Sequence, residues 1–202
     1  MFIPTPKPGF LNRNQAEQEL QQLIAQPVAH ELRPCPNCHL PSDASIPHQY
    51  CNPDCSNAPQ ALSSEPDKHP IETRVVGVVF ELSTLRLLQP CWSCEGHRNG
   101  QGELWKLPQV SFYAASALYP KLLVTYLNRL KHQKQLHYPW QVTLVDLGQT
   151  WGPTYQLEPA LNQIMEEIKL EKLQNDLDKI GDGLGEKLKQ EARFMLANMQ
   201  QQ

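Results

Sequence analysis

Apolar positions recur with a regular period from residue 69 onward, whereas proline interrupts the chain before it: twelve of the eighteen prolines fall in the first 70 residues. Ile71, Val75, Val78, Val79, Leu82, Leu85 and Leu88 stand at helical spacing, and Pro70 suits a first turn, which predicts an amphipathic helix over 70–88. The valines also fit a strand over 75–80, but Glu72, Arg74, Glu81 and Arg86 lie off the apolar stripe and favour helix. A short strand at 89–92, a turn at 98–103 and an alternating strand at 109–114 follow. Residues 116–133 read as a second helix with Leu118, Leu122, Leu123, Tyr126, Leu127 and Leu130 inward, and 140–146 alternates as a strand. Helix, strand, strand, helix, strand implies an α+β domain, a small sheet with helices packed on one face.

The last section, from Leu157 on, is charged and spaced as helix: Leu161, Ile164 and Ile168, then Leu170, Leu173, Leu177, Ile180, Leu184 and Leu188. Gly181-Asp-Gly-Leu-Gly185 interrupts it, predicting a helical hairpin or a kinked arm that packs on the parent domain, with dimerisation as the alternative. Near the other end, Asn14 is a candidate N-cap for a helix at 15–26, with Leu20, Leu23 and Ile24 on one face. This helix is expected to dock on the segment after it. The expected organisation is therefore 1–66 as an N-terminal helix, metal module and linker, 67–155 as the α+β domain, and 156–202 as the C-terminal helical arm.

Two hundred and two residues with 40% apolar content can bury one substantial core. The net charge of −3 argues against electrostatic wrapping of nucleic acid. The one basic cluster, Arg129, Lys131 and Lys134 with His132 and His137, is expected to be the solvated end of a helix and would be the contact if an anionic partner bound. No apolar run is long enough for a membrane span, and the first residues have no apolar core followed by a cleavage site, so a soluble, cytoplasmic protein without membrane contact is expected.

Four of six cysteines form two close pairs, Cys35-Pro-Asn-Cys38 and Cys51-Asn-Pro-Asp-Cys55. Each pair brings two thiolates to one side of a tight loop, and two such loops complete a tetrahedral zinc site. Local disulfides are the alternative; paired cysteines in an intracellular chain favour metal. The stretch resembles a treble-clef zinc finger, in which a Cys-Pro-x-Cys knuckle precedes an aromatic-Cys-x3-Cys segment, and it is similar to small bacterial proteins related to the DNA gyrase inhibitor family. Pro59, four residues after Cys55, would keep the finger's helix very short.

The other two cysteines lie in Cys91-Trp-Ser-Cys94-Glu-Gly-His97. A strand ending in this segment puts a thiol and an imidazole at the sheet's edge, and Gly96 permits the turn that aims both at one cavity. Three readings stay open. As metal ligands, Cys94 and His97 would draw partners from Cys91, His69, Glu72 and Glu95. As a nucleophilic pair, His97 would lower the Cys94 thiol pKa, with Glu95 completing the catalytic candidates. As packing, both cysteines are simply buried.

This helix, strand, Ser-Cys-x-Gly-His, strand, helix order over 69–147 resembles the tRNA wybutosine-synthesizing methyltransferase family, whose motif is Ser-Cys-Ser-Gly-Arg. Here Glu95 and His97 replace the serine and arginine, which removes a phosphate contact and leaves a Cys/Glu/His set better suited to metal. Two function classes follow: a zinc-binding interaction or adaptor protein, with partners met through the metal module or the C-terminal helices, and a small metal- or thiol-dependent enzyme acting on a nucleotide or RNA.

Overall fold

The computed structural model describes residues 13–26, 71–85, 87–146, 153–161 and 168–201. In chain order the elements are α1 (Arg13–Ala25), α2 (Val76–Leu85), β1 (Leu88–Cys94), β2 (His97–Arg98), β3 (Leu104–Lys106), β4 (Gln109–Ala114), α3 (Leu118–His132), β5 (Trp140–Asp146), β6 (Thr154–Pro159), α4 (Leu170–Gly181) and α5 (Leu184–Gln200). The four-cysteine segment lies outside the described residues, as do His69 and Pro70.

The fold is α+β. β1, β4, β6 and β5 form one antiparallel sheet in that order, and β2 pairs with β3 in a small ribbon. The period of two sorts side chains by face. Val110 opposes Leu157 on the core side, and Phe112 stacks on its partner Tyr155 with centroids 6.0 Å apart. The other face is polar and linked by side-chain hydrogen bonds: Gln156 Nε2 donates to Gln109 Oε1 at 2.8 Å and to Glu158 Oε2 at 2.7 Å, and Thr143 Oγ1 donates to Glu158 Oε1 at 2.9 Å. A one-residue slip would bury this polar face, so the pattern fixes the register.

Strands 109–114 and 140–146 form where alternation predicts them, but three expectations change. First, residues 157–159 are not helical; they belong to β6, which inserts between β4 and β5. Thr154, Gln156 and Glu158 alternate with Tyr155, Leu157 and Pro159, and pairing on both sides of the strand outweighs the helical spacing of Leu157 and Leu161. Second, α2 spans Val76–Leu85 rather than 70–88: residues 71–72 lie in no helix or strand, 73–75 turn, and Leu88 starts β1. Third, α1 begins at Arg13, so Asn14 lies inside the helix rather than capping it.

Helices α2 and α3 pack on β1 and β5, and α4 and α5 pack on α2 and α3. The break between them falls at Gly183, whose φ of +61° is a left-handed conformation that glycine adopts without a Cβ clash. Leu173, Leu177, Ile180, Leu184 and Leu188 are wholly buried, so this stripe is consumed by the chain's own core. α1 docks on α5 through buried Leu20 and Leu23, and one apolar cluster runs through all three stretches. Glu81 of α2 is buried and accepts the Gly185 N–H at 2.8 Å, which sets a carboxylate at the positive end of the α5 dipole.

Tyr119 of α3 is buried, and desolvation with help from the Glu19 carboxylate pushes its phenol from 10.0 up to about 12. Below pH 10 the phenol is neutral in both states; as pH rises toward 12 the unfolded chain ionises and the folded chain resists, so stability falls. Tyr119→Phe is expected to lose less stability than wild type between pH 8 and pH 11, read from urea unfolding. Equal losses would contradict this assignment.

Candidate metal centre

β1 ends at Cys94, which sits on the last rung with β4, opposite Gln109. Glu95 and Gly96 turn the chain into β2, and Gly96 has φ +84°. A Cβ there would stand 2.7 Å from Leu170 Cδ1 and 2.9 Å from Pro108 Cδ, so both backbone conformation and space require glycine. The turn returns His97 toward Cys94. Glu72 lies in the non-helical segment before α2, and its carboxylate bridges the turn: Oε2 accepts the Glu95 N–H at 2.6 Å, and Oε1 lies 2.8 Å from His97 Nε2.

Cys94, His97 and Glu72 thus converge, each offering a ligand atom, with all three atoms within 4.8 Å of one another. Donors around a tetrahedral ion with bonds of about 2.0–2.3 Å stand roughly 3.3–3.8 Å apart, so small side-chain adjustments suffice for all three to reach one ion. Cys94 is buried, while Glu72 and His97 side chains are 32% and 37% exposed, which opens one side of the group to solvent. Burial pushes the Cys94 thiol above its usual range; the Gly96 N–H, 3.4 Å from Sγ, and the Lys106 charge oppose that shift, and Glu72 adds to it. A thiol held protonated is a poor nucleophile and becomes a thiolate when a metal displaces its proton.

The surroundings hold this turn in place. Glu95 Oε2 accepts the Arg74 N–H at 3.0 Å, the reciprocal of the Glu72 bond to the Glu95 N–H. Gln174 of α4 donates to the Glu95 carbonyl at 3.2 Å, and Arg74 pairs with Asp178 of the same helix. The trio is therefore anchored to α4 as well as to the sheet.

Of the residues singled out from sequence, Cys94, His97 and Glu72 are brought together. Cys91 and the Glu95 carboxylate are not. The register shift between Pro90 and Trp92 sends Cys91 to Tyr113, with its thiol raised by burial, and the Glu95 side chain is occupied by the Arg74 backbone. His69 lies outside the described residues. Glu72, expected on a helix, instead lies in the non-helical residues ahead of α2.

Two residues of consequence escaped the sequence reading. Lys106 stands opposite His97 across the β2–β3 ribbon, with its ammonium 4.7 Å from the Trp92 ring centroid. Reading 98–103 as the loop of a hairpin, rather than as a bare turn, would have paired these strands. Asp176, 1% exposed on α4, accepts from His137 N at 2.8 Å, Tyr138 N at 2.9 Å and Trp140 Nε1 at 3.2 Å, and its Oδ1 lies 2.8 Å from His137 Nδ1. Its signal in sequence was a carboxylate beside the apolar stripe of Leu173 and Leu177.

Lys131, His132 and Lys134 are exposed at the end of α3, where a solvated cluster was expected, while Arg129 pairs with the buried Glu191 of α5. Among the described residues no helix is long and apolar enough to cross a membrane. Comparison of the chain with family models, with curated proteins and with solved structures gives no match in any of the three.

Proposed function

We propose that the protein is a zinc-binding interaction protein of the cytoplasm whose α+β domain carries a mixed metal centre made of Glu72, Cys94 and His97. The observation that carries this reading is the convergence of carboxylate, thiol and imidazole within 4.8 Å. That donor set is one zinc accepts, and the Glu95 N–H, which donates to Glu72 Oε2, helps orient its carboxylate. Bound metal would tie the segment before α2 to the β1–β2 turn. The four thiolates of Cys35, Cys38, Cys51 and Cys55 are proposed as a second, closed zinc site. Partner contact is proposed through that module and through the exposed side of the C-terminal helices, where Phe194 is 67% exposed.

One observation favours a second reading, a small metal-dependent enzyme acting on a nucleotide or RNA. The exposed side of the trio leaves a coordination position open, as catalytic zinc sites do. The thiol-dependent version is weaker, because burial and Glu72 both hold Cys94 protonated.

Elemental analysis of purified full-length protein tests the assignment. Two zinc ions per chain are expected, and replacing Cys35, Cys38, Cys51 and Cys55 together by serine should leave one. A single zinc that disappears with those four cysteines would leave the trio without metal and remove the proposal for this domain.

A further inference from the structure

We infer that the Glu72, Cys94 and His97 centre takes a small monoanion, of which acetate is the simplest carboxylate probe, as its exchangeable fourth ligand, and that Lys106 attracts this ligand to the metal. The inference rests on the metal reading of the trio and adds what binds to it. Three protein donors leave a tetrahedral ion one position short, and the half-exposed Glu72 and His97 side chains put that position toward solvent.

Charge decides what fills it. A divalent ion bound by one carboxylate and one thiolate is neutral overall, so a neutral centre alone has no preference for anions. Lys106 changes this. Its strand position directly opposite His97 puts it on the same side of the ribbon as that imidazole, its charge bears on the Cys94 thiol, and its ammonium lies 4.7 Å from the Trp92 ring centroid. Among the described residues, Arg74 is matched with Asp178 and Arg98 with Glu171. Lys106 has no carboxylate partner among the described residues. A monoanion that displaces water from the metal gains both the metal–oxygen bond and the attraction of the Lys106 charge. A dianion such as phosphate would leave a surplus negative charge.

Cobalt(II) provides the readout. The full-length protein is loaded with Co²⁺ and titrated with sodium acetate while the visible absorption bands are followed; a four-thiolate site is closed and does not respond to acetate. A saturable change is expected, weakened about two- to fivefold by Lys106→Met, as for a partly exposed charge pair, and retained in Lys106→Arg. A spectrum with mixed sulfur, nitrogen and oxygen ligation that ignores acetate, as it would if His69 completed the shell, overturns the inference and leaves the metal centre standing. Equal acetate affinity in wild type and Lys106→Met overturns the role of Lys106. A four-thiolate spectrum alone would instead remove the metal reading itself.

Discussion

Asp176→Ala is expected to destabilise the protein by about 3–5 kcal/mol, a large share of the roughly 5–15 kcal/mol that holds a domain folded. The carboxylate is 1% exposed and serves the chain between α3 and β5 at four points. His137 is partly exposed and can turn to water, but the Tyr138 N–H and the Trp140 indole N–H are buried and would be left without an acceptor. Stranding a buried donor costs about 1–3 kcal/mol, and bonds to a charged acceptor are worth more than neutral ones. Removing the carboxylate also relieves its own desolvation, which keeps the total below the sum of four bonds. Asp176→Asn should fall between, since its amide would present donors to donors at one of the two oxygen positions. Urea unfolding followed by circular dichroism measures both variants; a loss under about 1 kcal/mol for alanine would show that water replaces the carboxylate and that it does not anchor α4.

The second large effect concerns metal. Cys94→Ser or His97→Ala is expected to weaken binding at the trio by more than about 100-fold, because loss of a residue that only orients a ligand typically costs 10- to 100-fold and these are the proposed donors themselves. Glu72→Gln should do the same while also loosening the β1–β2 turn, since its carboxylate accepts the Glu95 N–H. Competition with a chromophoric zinc chelator gives the affinities. A Cys94→Ser protein that holds this zinc as tightly as wild type would exclude Cys94 as a ligand.

Local pattern carried much of this fold. The strands at 109–114 and 140–146 were legible because apolar and polar residues alternate along each in sequence, and the glycines at 181, 183 and 185 marked the α4–α5 break, where Gly183 adopts a positive φ. β6 was not legible, because Leu157 and Leu161 continue the three-and-four spacing of the helices that follow; only its two neighbours, β4 and β5, decide for a strand. The start of α2 was misplaced for a related reason: Glu72 is held by the turn 23 residues further on, a contact that overrides the apolar period begun at Ile71. At the site, Cys94, Gly96 and His97 are close in sequence and could be read as a unit. Lys106 and Asp176 act through a strand register and a helix packing, which no local pattern contains.

The central claim is that Glu72, Cys94 and His97 bind one metal ion. X-ray absorption at the zinc edge, on full-length protein in which Cys35, Cys38, Cys51 and Cys55 are replaced by serine, tests it most directly. One zinc per chain is expected, with a single sulfur at about 2.3 Å and the remaining ligands nitrogen or oxygen at about 2.0–2.2 Å. A protein without zinc, or a shell without sulfur, would contradict it.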